Sequence, residues 1–318
     1  MIHAKTEGDR RTMTHLAKAI ICFLFLTDVM HGQSSSPEPQ TEQQTEQQTE
    51  QQTEQLKASV KGKGPHQTAT LTERDGIRNG PGYKGATIHY PVDLEGPLPG
   101  MAIVPGFMAS ERSISRWGPY LASYGILTMT IGTNERRAMP EDRGDALLDA
   151  LITLKAENTR AESPLNGRID TERMGVGGWS MGGGGAQHAA VQDPELDAVL
   201  AFCPWKPGHA FEHPVPVMIL AGEDDNTAPS SMHALVHYRK TPEGTPKLLF
   251  EVEGGGHFLP YSIDNAEGDV GRIALLWLMV HLLDDDRYRP LLEERPVTAS
   301  RYDLDLGMKT KSEDNEPD

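Results

Sequence analysis

Cysteine is nearly absent from this chain: 318 residues hold two, Cys22 and Cys203. Cys22 falls in an expected leader, so the mature chain keeps Cys203 alone and cannot form an intrachain disulfide, although an oxidising compartment would permit one. Cys203 follows the apolar run 198–202 and reads as a buried thiol at a strand end rather than a nucleophile. Positive charge is also scarce. Lys and Arg total 30 against 46 Asp and Glu, a formal net charge of −16. Such a surface lacks the basic footprint that nucleic acid requires, and it offers no electrostatic grip on an anionic membrane. Long apolar runs are missing as well. The run 19–26 falls short of the ~20 residues needed to span a bilayer. The run 273–283 is apolar almost all round, but it is short and carries His281, as a buried flanking helix would.

The ends read differently from the middle. Lys5, Arg10, Arg11 and Lys18 precede or enter the apolar run 19–26, resembling the basic and hydrophobic regions of a secretory signal over 1–32. Export to the extracellular space or the periplasm is therefore expected. Residues 33–64 carry a repeated Thr-Glu-Gln-Gln unit with no apolar periodicity, which predicts a disordered spacer, with a helical polar tether as the alternative. A polar tail occupies 307–318. This leaves 65–306 as one catalytic-sized domain.

The middle is organised around Gly178-Trp179-Ser180-Met181-Gly182. An apolar strand runs into it and a small-residue helix leaves it, the pattern of a nucleophile elbow with Ser180 at the apex of a sharp turn. Side chains at the flanking glycines would collide with the adjoining strand or helix. The helix N-terminus also directs partial positive charge at the serine. The same five residues could make a glycine-rich turn with a spectator serine; the elements around them favour the elbow.

Strands are expected over 86–90, 101–104, 125–131, 198–202, 215–221 and 248–252, and helices over 114–123, 145–157, 230–239 and 271–283. Their alternation predicts an α/β fold with a mostly parallel sheet covered by helices on both faces. Catalytic groups should then gather at the carboxyl ends of the strands. A serine needs a base, and the base an orienting carboxylate, in the chain order Ser, acid, His. The loop after 215–221 offers Glu223, Asp224 and Asp225, among which chain order does not choose. The glycine-rich loop after 248–252 offers His257 as the base. The backbone N–H groups of Met181 and of Phe107, just after the strand-ending Pro105-Gly106, are the expected oxyanion donors.

With these residues in place, the stretch from about Gly82 to Tyr302 resembles the bacterial cutinase-like polyester hydrolases, which include enzymes that degrade poly(ethylene terephthalate). The likeness is carried by 102–107, 117–125, 130–134, 170–175, 178–185, Pro204-Trp205, 223–229 and Gly256-His257-Phe258. It implies an α/β-hydrolase fold acting on an ester or polyester. No long insertion suggests a lid, the triad chemistry needs no cofactor, no metal ligands are assigned, and a monomer is expected. The resemblance implies the triad Ser180, Asp225 and His257, with Phe107 and Met181 as oxyanion donors. It also implies that Phe107 and Trp205 clamp the polymer, and that Trp179 and His233 line or support the cleft. A small-ester carboxylesterase or triacylglycerol lipase on the same fold is the alternative, and a catalytically dead adhesion module is the rival from another class. Family members often carry a C-terminal disulfide, which this chain cannot make.

Overall fold

The computed structural model describes residues 42–307; the expected leader with Cys22, the spacer up to Thr41 and the tail from Met308 lie outside them. Strands β1 (Thr68–Thr72), β2 (Tyr83–Pro91), β3 (Leu98–Val104), β4 (Leu127–Thr133), β5 (Ile169–Trp179), β6 (Ala198–Phe202), β7 (Val217–Gly222), β8 (Lys247–Val252) and β9 (Ala299–Asp305) form one sheet. Their order is β1-β2-β4-β3-β5-β6-β7-β8-β9. From β4 to β8 every pairing is parallel, and the antiparallel pairings, β1 with β2, β2 with β4 and β8 with β9, lie at the two edges.

The helices are α1 (Glu42–Ser59), α2 (Trp117–Ala122), α3 (Pro140–Glu157), α4 (Met181–Gln192), α5 (Ala234–Lys240), α6 (Asp269–His281) and α7 (Arg289–Glu293). They divide between the two faces of the sheet, and the strands divide their side chains to match, since successive residues of a strand point to opposite sides. Met101, Ile103, Leu200, Phe202, Met218 and Leu220 pack with α2, α6 and α7. Ala102, Val104, Val199, Ala201, Val217 and Ile219 pack with α3, α4 and α5. Both faces of the inner strands are buried, which is why these stretches read as continuous apolar runs rather than as alternating ones. This mostly parallel sheet with helices on both sides is the α/β-hydrolase fold.

The expected elements are present with altered bounds: β2, β3, β8 and α3 run longer than expected into polar ends, whereas β7, α2 and α5 are shorter. Two strands were not expected. β1 and β9 are edge strands in which few side chains are buried, and edges tolerate the polar residues that hide a strand from a periodicity reading.

The expected disordered spacer is also corrected over its described part, which is largely the 18-residue helix α1. Glutamine and glutamate are good helix formers and the repeat contains neither glycine nor proline. Its C-terminal end is held by the part of the chain from Gln48 onward, the compact unit that includes the sheet. Val60, just past the helix, is 1 % exposed in the core, Leu56 packs against the same cluster one turn earlier, and Lys57 lies 3.2 Å from Glu294. The Tyr124 hydroxyl donates to the Gly62 carbonyl at 2.8 Å. Val60→Ala should therefore cost about 2 kcal/mol, read as a drop of about 4–8 °C in the thermal midpoint. An unchanged midpoint would mean that this docking contributes nothing to stability.

Candidate active site

Five loops that leave the carboxyl ends of β3, β5, β6, β7 and β8 converge on one edge of the sheet, where a parallel sheet leaves room between its connections. The connection from β6 to β7 contains no helix, so two parallel neighbours are joined by an irregular segment that carries Trp205 across this edge.

Ser180 stands between β5 and α4 with φ 60° and ψ −120°, a conformation that non-glycine residues adopt only under constraint. The constraint is visible. Its N–H donates to the Phe202 carbonyl at 2.9 Å, and its carbonyl accepts from Trp205 N–H at 2.8 Å and Gly184 N–H at 3.1 Å. Gly182 is required by space, because a Cβ there would lie 2.5 Å from the Val104 carbonyl oxygen. The Pro105-Gly106-Phe107 loop crosses so near the serine that a Cβ on Gly106 would lie 2.8 Å from the Ser180 Cβ.

His257 is 6 % exposed, with Nε2 at 3.0 Å from Ser180 Oγ and Nδ1 at 2.7 Å from Asp225 Oδ2. The other Asp225 oxygen accepts from the N–H groups of Thr227 at 2.9 Å and Ala228 at 2.8 Å. Burial pushes the Asp225 carboxyl up, but the hydrogen bonds from His257 and Ala228, the field of His257 and the Thr227 N–H outweigh it and hold the group below the usual carboxylate value. The three acids of this loop have three different surroundings. Glu223 is exposed and accepts from Gly254 N–H at 2.9 Å, bracing the histidine loop. Asp224 is exposed and joins that loop through its backbone, its N–H donating to the Gly255 carbonyl at 2.8 Å. Asp225 alone is buried against His257.

Met181 is the first residue of α4, so its N–H has no partner within the helix. Phe107 is 48 % exposed beside the serine, and Trp205 is half-buried with its ring 5.8 Å from His233. Trp179 and His233 are buried, at 4 % and 3 % exposure, and their contacts are those of supports. Trp179 donates from Nε1 to the His257 carbonyl at 2.8 Å, and His233 Nδ1 accepts from Lys206 N–H at 3.0 Å. Cys203 is buried at the end of β6, and burial pushes its thiol well above the usual value. Its sulfur lies within 4.8 Å of donor atoms of Asp225 and His257.

One site residue left no trace in the sequence. Arg143 sits near the start of an amphipathic helix, where arginines usually face water, yet it is fully buried. Its guanidinium donates to the carbonyls of Pro105 at 2.8 Å, Arg136 at 3.0 Å and Ala138 at 3.1 Å, so α3 holds the Phe107 loop from beneath. Burial lowers its pKa to about 10, which still leaves it charged at neutral pH.

Comparison with known proteins identifies the family. A family model described as PET hydrolase-like matches residues 41–309. The chain belongs to the PET hydrolase-like family. Among its relatives is a bis(hydroxyethyl) terephthalate hydrolase of Streptomyces coelicolor, 34 % identical over 226 residues that make up 70 % of each chain. A protein named Lipase 1 from Moraxella is 34 % identical over 223 residues, 70 % of this chain and 67 % of its own. Cutinase est2 of Thermobifida alba is 31 % identical over 261 residues, 76 % of this chain and 83 % of its own. The chain is thus a carboxylic ester hydrolase of the PET hydrolase-like family. Among the described residues no helix is long and apolar enough to cross a membrane.

Proposed function

We propose that this chain is an exported serine ester hydrolase that cleaves polyesters at the convergence of Ser180, His257 and Asp225. Ser180 Oγ attacks the ester carbonyl as His257 Nε2 takes its proton, while Asp225 holds the imidazole in the tautomer that keeps Nε2 free to accept. The N–H groups of Phe107 and Met181 stabilise the tetrahedral oxyanion, with Arg143 fixing the loop of the first. His257 returns the proton to the leaving alcohol. Water, activated by the same imidazole, then releases the acid from the acyl-enzyme.

The observation that carries the polyester reading is the apolar rim. Of ten large hydrophobic side chains exposed among the described residues, Phe107, Met108, Met232, Phe258 and Tyr261 stand on the loops around the serine. A surface of that kind suits a substrate that lies across it rather than one that enters a closed pocket. The relatives named cutinase and terephthalate hydrolase favour the same substrate class, and the relative named lipase keeps a small-ester or triacylglycerol hydrolase as the second reading. The test compares soluble product released from a polyester film with hydrolysis of a short-chain nitrophenyl ester, with Ser180→Ala as the blank. Cleavage of both supports the polyester reading. Cleavage of the soluble ester alone keeps the triad and moves the substrate to small esters.

A further inference from the structure

Beside the rim lies a second concavity, a groove of about 780 Å³ whose lining includes Met108, Ser110, Arg112, Arg116, Arg136 and Tyr261. One chain link and one contact join it to the reacting centre. Met108 follows the oxyanion residue Phe107, and the Tyr261 ring packs edge-on 4.8 Å from Trp179, which precedes Ser180.

The groove is opposite in sign to the chain around it. Three arginines line it on a protein of net charge −16. Arg116 already has partners, with Nη1 at 3.5 Å from Asp264 and 3.2 Å from Ser262 Oγ. Arg112 and Arg136 are exposed, and among the described residues no carboxylate lies within 4 Å of either guanidinium. The carboxylate of Glu111, next to Arg112 in the chain, accepts instead from Thr130 Oγ1 at 2.7 Å. Arg136 is also held in place, because its carbonyl accepts from Met108 N–H at 2.8 Å and from Arg143 Nη2 at 3.0 Å. Two unpaired cations on fixed backbone, beside an ester-cleaving serine, invite an anion.

We propose that this groove is a subsite for the free carboxylate of an ester substrate, so that the enzyme prefers oligoesters or half-esters that end in a carboxylate over matched neutral esters. The inference rests on the ester-hydrolase reading above. Every internal cleavage of a polyester leaves one carboxylic acid end, which is ionised above about pH 4. Guanidinium groups bind carboxylates through paired charge-assisted hydrogen bonds. The acidic surface as a whole repels such an end, and the local arginine pair reverses the field at the point of docking.

The experiment measures kcat/KM for a neutral aromatic diester, its half-ester with a free carboxylate across the ring, and a nitrophenyl ester. It uses the whole chain and the pair Arg112→Gln/Arg136→Gln. The half-ester should lose about tenfold in the pair variant while the two neutral esters stay within about twofold, a differential of about 1.4 kcal/mol. Equal change in all three, or none, overturns the subsite. Salt gives a second reading on the unaltered protein. Raising NaCl from about 0.05 M to about 0.5 M should weaken the half-ester several-fold more than the neutral diester, and an equal response also counts against the subsite. Absence of turnover on the nitrophenyl ester in the unaltered chain is a different outcome, since it removes the hydrolase reading itself.

Discussion

Ser180→Ala should lower turnover on a soluble nitrophenyl ester by about 10⁴–10⁶, and His257→Ala by a similar factor. The two effects should not add. The serine is no nucleophile without the base, and the base has nothing to activate without the serine, so the double variant should match either single one. A residual rate above water should survive, because the Phe107 and Met181 N–H groups and the apolar rim do not depend on either side chain. The expected loss follows from geometry that a spectator serine would not need: a left-handed backbone at a non-glycine residue, buried next to an imidazole at 3.0 Å. Steady-state kinetics on both single variants and the double one check this. A fluorophosphonate probe should label the unaltered protein and leave Ser180→Ala unlabelled. Activity within tenfold of the unaltered enzyme in either single variant would remove Ser180 and His257 from the mechanism, and failure of the probe to label would revive a non-catalytic adhesion role.

Much of this arrangement is legible in the sequence because the chemistry and the chain direction agree. The elbow around Ser180 is local, confined to one strand, one turn and one helix, so its signal survives in the linear order. His257 was legible for the same reason, sitting on a glycine-rich loop at a strand end. Asp225 was not legible from its surroundings alone, since Glu223 and Asp224 share its loop; only the resemblance singled it out. Burial separates the three, and burial depends on which side of that turn meets the loop from β8. Arg143 was illegible because its partners are backbone carbonyls 5, 7 and 38 residues away. Carbonyls leave no mark in a sequence. The helix α1 misled in the other direction: a polar repeat reads as unable to bury surface, and it does bury little, but Leu56 and Val60 at its end find the core laid down by distant segments.

Asp225→Asn should cost about 10⁴ in turnover, by analogy with other triads, while Asp224→Asn should stay within about twofold. The contrast is large because adjacent residues of the same charge have different surroundings. Asparagine at 225 is close in shape to aspartate, so the backbone donors of Thr227 and Ala228 can still find the amide oxygen. The amide nitrogen would then face His257 Nδ1 as a donor, favouring the tautomer with its proton on Nε2, which cannot accept from Ser180. A second readout separates this from mere damage. The folded carboxyl of Asp225 lies below its usual 3.8, so its contribution to stability is present above that pH and is lost as pH falls through the folded value. Thermal unfolding of the unaltered protein should therefore lose stability below pH 3.8, and the gap between it and Asp225→Asn should narrow over the same range. Asp224 is exposed and its side chain is hydrogen-bonded to no group of the histidine loop, so its substitution should leave both the rate and that acid limb in place. If Asp224→Asn were instead the variant that lost turnover, the orienting carboxylate would have to be moved to position 224. The 2.7 Å contact between Asp225 and His257 would then describe packing rather than catalysis.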